Sequence, residues 1–241
     1  MIRRLSISEK DKEQFSTASW DPASQQDDFF DYSKVVIQKP WGHEYLLYRN
    51  NDVAVWVLNI KHGFKTSLHC HPNKKTSLAI LSGTAVCTTL NEVHTLGPGD
   101  GFLIEKGVFH STAALSPESI TVIETETPAN KKDLIRAFDS YGRAGQGYEN
   151  SSCYTDLDGS LHCHFHNDPY GPSRKIGEFE LAVTKDTMMP TADIIAILRG
   201  GIHQAGMLAY EVGDVMNTQD MDRGGAHTIM QDSEFLSIKR L

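Results

Sequence analysis

Short runs of β-branched and aromatic residues follow one another from residue 36 to the end of the chain. EYLLY, VAVWVLNI, SLAILSG, TAVCTTL, GFLIE and SITVIETE come first, and GEFELAVT, DIIAILRG, MLAYEVGDV and EFLSIKRL follow later. Gly, Pro, Asn and Asp separate these runs. Strand-length runs with regular turns and no long helical period predict an all-β protein, built as a sandwich or barrel.

Two segments depart from this pattern. Residues 1–35 are polar and predict an N-terminal arm, in which Ser8 is a candidate cap for a short helix. Residues 146–160 are rich in Gly, Ser and Asp and have no apolar period, which predicts a linker between domains at 36–145 and 161–241. The run KKDLIRAFD fits either one helical turn or an extended arm.

Four landmarks occur twice in the same order along the chain. They are KPWG (39–42) and DPYG (168–171), LAILSG (78–83) and IAILRG (195–200), PGDGFLI (98–104) and VGDVMNT (212–218), and GVFHST (107–112) and GGAHTI (224–229). Their shared order and similar spacing indicate two tandem copies of one barrel, the second copy being shorter.

The composition narrows the range of partners and compartments. A net charge of −8 does not favour a nucleic acid or an anionic membrane as partner. No run approaches the roughly 20 apolar residues of a membrane helix, and the N-terminus has no signal-peptide core. The 4 cysteines fit no disulfide framework, so we expect a cytoplasmic protein.

The pentapeptide SLHCH occurs at 67–71 and again at 160–164. In an extended strand, residues i and i+2 point to one face, so His69 and His71 project together. In the second repeat the equivalent position falls within KDTMMP, and the second SLHCH lies upstream of DPYG. The two pentapeptides therefore occupy different structural positions.

A third imidazole completes a candidate metal site. The turn GPGD sends the chain back antiparallel, which predicts that His110 arrives opposite His69 and His71. Neutral imidazole is the commonest protein metal ligand. The sequence therefore predicts one divalent ion, with Zn, Fe, Mn and Ni not distinguished.

Other histidines favour structural roles. His162, His164 and His166 also alternate, which leaves a second metal site open but favours a partly exposed strand that crosses between the barrels. His227 aligns with His110 but has no His-x-His partner, so the second barrel is expected to brace the first rather than hold a catalytic metal.

The histidine pattern resembles the two motifs of the cupin family, which implies a double-stranded β-helix, or jelly-roll, barrel. The matching positions are Gly63, His69, His71 and Gly83 for the first motif, and Gly99, Gly107 and His110 for the second. The first motif also has a glutamate ligand, whose place Thr76 takes here, and Glu105 replaces the proline of the second.

A narrower resemblance covers residues 39–145. KPWGHEYLL, ILSGTA, VIETET and DLIRAFDSYGR are similar to the cupin domain of type II mannose-6-phosphate isomerases. That resemblance implies a carbohydrate substrate, anionic as a sugar phosphate or nucleotide-linked sugar, and makes Arg136 a candidate contact for its charged group. By analogy with cupins that pair through strand exchange, we expect a homodimer.

Sugar isomerisation needs a proton acceptor beside a carbonyl and an electrophile for the enediolate oxygens, which a divalent metal supplies. The candidates for proton transfer are Lys61 and Glu105. The candidates for substrate binding are Lys65, Lys75, Arg136 and Trp41. We hypothesise a metal-dependent sugar isomerase or epimerase in polysaccharide or activated-sugar biosynthesis.

Two alternatives stay open from the sequence. Three neutral histidines without a carboxylate also suit an Fe(II) site that activates dioxygen. A non-catalytic carbohydrate-binding or regulatory cupin is the other, supported by Thr76 at the glutamate position.

Overall fold

A computed structural model describes residues 1–18, 30–186, 188–221 and 226–241. Its strands are grouped in four sheets, and its only α-helices in these residues are the short segments α1 (Glu9–Thr17) and α2 (Thr218–Met221). The predicted all-β class is confirmed. Neither helix has the length or the apolar character that crossing a membrane would need.

The first barrel is formed by an eight-stranded sheet and a five-stranded sheet. Its strands are β1 (Ile2–Leu5), β2 (Val35–Lys39), β3 (Gly42–Arg49), β4 (Ala54–Ile60), β5 (Leu68–Cys70), β6 (Lys75–Ser82), β7 (Ala85–Thr89), β8 (Val93–Leu96), β9 (Gly101–Ile104), β10 (His110–Ala114), β11 (Ile120–Thr127), β12 (Ile135–Phe138) and β13 (Tyr154–Asp156). The large sheet has the order β1-β9-β6-β11-β4-β3-β2-β13, and the small sheet the order β12-β5-β10-β7-β8.

The second barrel is smaller and is formed by sheets of five and three strands. Its strands are β14 (Arg174–Ile176), β15 (Phe179–Lys185), β16 (Ile194–Arg199), β17 (Gly201–Gln204), β18 (Met207–Glu211), β19 (Val215–Asn217), β20 (His227–Ile229) and β21 (Glu234–Arg240). The orders are β14-β15-β21-β16-β19 and β18-β17-β20.

The strand orders of the two barrels correspond. The central part of the large sheet, β9-β6-β11-β4-β3, has the same connectivity as β19-β16-β21-β15-β14, and β8-β7-β10 has that of β18-β17-β20. The predicted internal duplication therefore agrees with the topology. In the described part of the second barrel, no strand corresponds to β5 or β12.

The alternation of side chains along β4 shows how the two barrels pack against each other. Trp56 and Leu58 point into the first barrel, where they join a core between its two sheets. Val55 and Val57 point the other way and pack in a cluster with Leu181 and Leu236 of the second barrel. The second barrel thus braces the outer face of the large sheet, rather than one of its edges.

The described parts of the segment predicted as a polar arm, residues 1–18 and 30–35, are built into the first barrel. β1 pairs in parallel with β9. Ser8 caps α1, as the sequence predicts, and the buried Asp11 carboxylate accepts a hydrogen bond from the Phe109 backbone N–H at 2.9 Å. Since Phe109 precedes His110, this contact fixes the start of β10.

The segment predicted as a linker, 146–160, also belongs to the first barrel. Its β13 pairs antiparallel with β2 and extends the large sheet. KKDLIRAFD adopts the extended alternative, because Ile135 and Arg136 pair with β5.

Candidate metal centre and its cavity

Three histidines converge in the small sheet of the first barrel. β10 and β5 are antiparallel neighbours with His110 directly opposite His69, and His71 follows β5 on the same face. The ring centroids of His69 and His110 lie 4.5 Å apart, and those of His71 and His110 5.5 Å apart. One ligand atom from each ring lies within 4.8 Å of the others. The structure therefore brings together the three residues that the sequence singles out.

Backbone carbonyls fix the orientation of all three rings. Nδ1 of His69 is 2.8 Å from the Ser67 oxygen, and Nδ1 of His71 is 2.6 Å from the Asp133 oxygen. Nδ1 of His110 is 3.0 Å from the Val108 oxygen. Because a carbonyl oxygen only accepts, each Nδ1 carries the proton and donates it, and each Nε2 keeps a free lone pair.

The environment keeps these imidazoles neutral. Burial lowers the pKa of His69 and of His71 well below its ordinary value, and nearby cations and the other imidazoles add to the effect. Burial also lowers the pKa of His110, to about 4. A neutral ring with its Nδ1 proton held by a carbonyl is the form that binds a metal through Nε2.

The residues fit a divalent cation. Nε2 of His71 is buried and has no hydrogen-bond partner in the part of the chain that the structure describes. A buried polar atom without a partner is costly, and a cation between the three Nε2 atoms would satisfy it. Among the described residues no carboxylate joins this group. Thr76, at the motif's glutamate position, is buried in β6 opposite Glu126.

The cluster opens into a cavity between the two sheets of the first barrel. The cavity encloses about 560 Å³, including its open mouth, within the size range of small-molecule sites. Five cations and four carboxylates line it: Lys39, Lys74, Lys131, Arg136 and Arg143, with Glu44, Glu124, Glu126 and Glu149. The interior of this barrel is therefore strongly ionic on the side of the histidines.

Most of these charges are paired with one another. Lys131 lies 3.1 Å from the Glu44 carboxylate and 3.2 Å from the Glu126 carboxylate. Lys74 donates to Glu126 at 2.8 Å and to the Asn130 backbone oxygen at 2.9 Å. Each ion thus replaces the water that burial removes with a hydrogen-bonded partner of opposite charge.

The pKa values follow from this pairing. Burial acts to raise the pKa of Glu44, but Lys131 and Lys39 outweigh it and lower the pKa to about 2. For Glu126 burial is likewise outweighed by Lys131 and Lys74, and its pKa is lowered. Burial acts to lower the pKa of Lys131, but the surrounding carboxylates raise it instead. These three groups are ionised at neutral pH.

A second group of charges joins the end of the barrel to the segment after β12. Glu149 accepts from Lys39, from Arg136 at 3.0 Å and from Arg143 at 2.5 Å. Tyr148 donates to Glu44. The Glu149 pKa is lowered because Lys39 and Arg136 outweigh the effect of burial.

Two of the predicted substrate contacts line the cavity. Arg136 is in β12, next to His69 in register, and its guanidinium donates to Glu149 and to the Gln146 backbone oxygen. Its Nε is buried and has no partner among the described residues. Trp41 is buried and lines the same cavity.

The structure places the other four predicted residues outside this cavity. Lys61 and Lys65 are exposed in the turn that follows β4. Glu105 is half-buried after β9, and its carboxylate lies 4.0 Å from Arg4. Lys75 points to the second barrel, where it pairs with Glu211 at 2.7 Å and Asp214 at 3.0 Å. These four residues therefore do not line the cavity, and the catalytic and binding roles suggested for them stay predictions.

Sequence reasoning missed most of the ionic lining. One signal is present in β11, where the apolar Ile120 and Val122 are followed on the same face by Glu124 and Glu126. An apolar face that turns acidic halfway along a buried strand points to a polar cavity. Lys131 and Glu149 lie in segments that have no hydrophobic periodicity, so no sequence pattern identifies them as cavity residues.

The alternating histidines of the second SLHCH do not form a three-residue ligand group among the described residues. His164 and His166 stack with ring centroids 4.7 Å apart, and His162 lies 5.0 Å from the ring of Tyr45. Phe165, between them, is buried against the inter-barrel cluster. The predicted strand does not form here, because residues 159–168 are turns, bends and backbone without strand pairing.

The comparison with protein families agrees with this architecture. The family model described as Cupin domain matches residues 56–126, which run from β4 to β11 and include the three histidines. The first barrel has a cupin fold. No curated protein shows significant similarity to the sequence. The narrower resemblance to type II mannose-6-phosphate isomerases stays a prediction based on motifs.

Several solved cupin structures are similar at low identity. KdgF from Halomonas sp. is 22% identical over 37% of this chain and 82% of that chain, with a TM-score of 0.36. The capsular polysaccharide assembling protein CapF from Staphylococcus aureus is 19% identical over 49% and 34%, with a TM-score of 0.36. The cupin domain of Cnp3 from Schizosaccharomyces pombe is 15% identical over 42% and 67%, with a TM-score of 0.34. Similarity at this level carries no information about function.

Proposed function

We propose that the first barrel is a metal-dependent enzyme that isomerises or epimerises a carbohydrate. The observation that carries the proposal is the set of three imidazoles at one end of an ionic cavity. A backbone carbonyl orients each ring through Nδ1, so that each Nε2 keeps a free lone pair. His69, His71 and His110 would hold a divalent ion, which supplies an electrophile for substrate oxygen atoms. The remaining chemistry falls to the side chains of the cavity.

The lining favours a polyhydroxylated substrate. Carboxylates, ammonium groups and a tyrosine hydroxyl surround the space, and Trp41 offers an apolar face. Every cation of the lining already has a carboxylate partner. A phosphate would have to displace these partners, so we propose that the sugar ring occupies the cavity and that any phosphate or nucleotide lies at its mouth.

The test combines metal analysis with turnover. The purified protein is assayed with aldoses, ketoses and their 6-phosphates, before and after treatment with a chelator. We expect turnover that depends on one metal per chain and is lost in His110→Ala, while His62→Ala, at an exposed histidine outside the cavity, keeps both metal and activity. Full activity in metal-free protein would contradict the proposal.

The composition of the cluster supports one other candidate, an oxygenase. Three histidines without a carboxylate leave room at a ferrous ion for both dioxygen and substrate. Oxygen consumption on addition of Fe(II) and a sugar or related hydroxy compound would favour this alternative. An isomerase would work equally well without air.

A further inference from the structure

Glu124 differs from the other carboxylates of the cavity because it has no hydrogen-bonding or ionic partner in the described part of the chain. It lies in β11, is buried, and lines the same cavity as the three histidines. Among the residues that the structure describes, no hydrogen bond or ion pair involves its carboxyl group. A buried carboxyl that is left unpaired beside a ligand cavity needs an explanation.

The neighbouring carboxylates show that partners are within reach of this region. Glu126, two residues along the same strand face, accepts from Lys74, from Lys131 and from the Trp56 indole at 3.1 Å. Glu44 has Lys39 and Lys131 within 3.3 Å. These contacts occupy the nearby ammonium groups. The carboxyl group of Glu124 therefore has no partner among the described residues, although the cavity contains several cations.

The free carboxyl and the histidines lie on opposite walls. Glu124 belongs to the large sheet, where its neighbours in register are Trp56 and Leu78. His69 and His110 belong to the small sheet. A sugar bound between these two walls can direct oxygen atoms to the histidines and a C–H bond to Glu124.

We propose that Glu124 is the catalytic residue that transfers the proton between carbon atoms of the substrate, so that the reaction is a one-base 1,2-isomerisation. The inference rests on the proposed function. Glu124 takes the place that the sequence suggested for Lys61 and Glu105, which lie outside the cavity.

The charges around Glu124 suit this role. Burial, together with the charges of Glu126 and Glu44, raises its pKa to about 7 against the opposing effect of Lys131 and Lys74. A carboxyl that titrates near neutral pH both accepts a proton from carbon and returns it. The paired carboxylates, with lowered pKa values, are poor at this exchange.

The step balances without a co-reactant. The Glu124 carboxylate takes the proton from the carbon beside the carbonyl, and the C–H electron pair forms the C=C bond of an enediolate as the carbonyl oxygen gains the charge. The hydroxyl proton passes to that oxygen, and Glu124 returns its proton to the former carbonyl carbon. One base on one wall delivers the proton to the same face of the sugar. Epimerisation would need a second acid on the opposite face.

The experiment follows proton exchange in D2O. Wild-type protein, Glu124→Gln, Glu124→Asp and the control Glu118→Gln, at an exposed residue outside the cavity, are incubated in D2O with D-mannose, D-glucose, D-fructose and their 6-phosphates. Aldose–ketose conversion and deuterium at C1 and C2 are measured by NMR. We expect Glu124→Gln to reduce the rates of conversion and of exchange at least about a hundredfold. Metal content should remain at the wild-type value. Glu124→Asp should retain an intermediate rate, and Glu118→Gln the full rate.

The outcomes separate the two proposals. Exchange in the wild type that persists within about threefold in Glu124→Gln would overturn the role of Glu124 and leave the isomerase intact. Absence of both aldose–ketose conversion and deuterium exchange by the wild type, with every sugar, would overturn the proposed function and this inference together. A wild-type rate that rises with pH around neutrality, in a profile that Glu124→Gln lacks, would support the assignment independently of the absolute rates.

Discussion

The two barrels share a strand order but have opposite interiors. Between its sheets, the first barrel holds three histidines and nine charged side chains. The second packs apolar residues in the same place: Ile195, Ile197, Ile202, Met216 and Phe235. One architecture therefore accommodates either a polar cavity or a filled core, and the side chains on the inward faces decide which one forms.

The registers show how the difference arises. In the repeated run, Leu78 corresponds to Ile195, and their partners across the sheet are Glu124 and Ser237. The strand on the other side places Trp56 beside Glu124 but Ala182 beside Ser237. The second barrel also lacks counterparts of β5 and β12 among the described residues, and those strands carry His69 and Arg136. Without a strand equivalent to β5, the described part of the second barrel has no positions for His69 and His71, and Ser237 stands where the first barrel has Glu124.

The comparison is tested most strongly by removing a buried cation. Lys131→Met should lower the free energy of unfolding by about 3 to 5 kcal/mol, because it takes an ion from Glu44 and Glu126 inside the barrel. Urea unfolding at pH 7 measures this. Lys239→Met, at an exposed lysine of β21, should cost less than about 0.5 kcal/mol. Equal costs for both variants would show that the network adds no stability.

The second prediction concerns the pH dependence of stability. Because the pKa of Glu124 is raised to about 7 in the folded protein, the fold binds its proton more tightly than the unfolded chain does. Stability due to this proton is present at low pH and is lost as the pH rises toward and through 7. Glu124→Gln should therefore be more stable than the wild type by about 3 kcal/mol at pH 8, and the gain should shrink toward pH 5. A gain independent of pH would contradict the raised pKa.

The third prediction separates the histidines of the two barrels. His71→Ala should weaken divalent metal binding at least about a hundredfold, because it removes one of the predicted metal ligands rather than a group that only orients a ligand. His227→Ala, at the repeat position of His110, should leave the affinity unchanged. Titration with Zn²⁺ monitored by calorimetry provides the measurement. Weakening of similar size in both variants would place the ion elsewhere.

The smallest effect is expected where the barrels meet. The Ser77 hydroxyl donates at 2.7 Å to the Gly213 backbone oxygen of the second barrel, and Thr125 donates to the same atom. Ser77→Ala should lower the free energy of unfolding by about 1 kcal/mol, because Thr125 still satisfies the oxygen. Ser140→Ala, at an exposed position, serves as the control for thermal unfolding. A cost above about 3 kcal/mol would mean that this contact holds the barrels together.

The local sequence pattern was sufficient to predict the strands and the three histidines of the candidate metal site. The alternation that makes a strand also places His69 and His71 on one face, and the repeated landmarks predict a second barrel of the same topology. Both depend on neighbours along the chain, which the sequence displays directly.

The lysines show where local pattern fails. Lys74 and Lys75 are adjacent, and a shift of one residue in a strand reverses the face. Lys74 enters the cavity and pairs with Glu126, whereas Lys75 crosses to Glu211. The sequence alone does not state which face of β6 is inward, because both faces are buried, one in each barrel.

By itself the sequence determined that the protein is all-β, duplicated, and equipped with three histidines that can meet in the first barrel. Only the tertiary structure decided that Glu149 lines the cavity as a partner of Arg136 and that Glu124 has no partner there among the described residues, since those facts depend on which distant side chains lie close to each carboxylate. Hydrogen-bond pairing in a buried network is settled by distances of a few ångströms between strands, and strand order along the chain does not encode them.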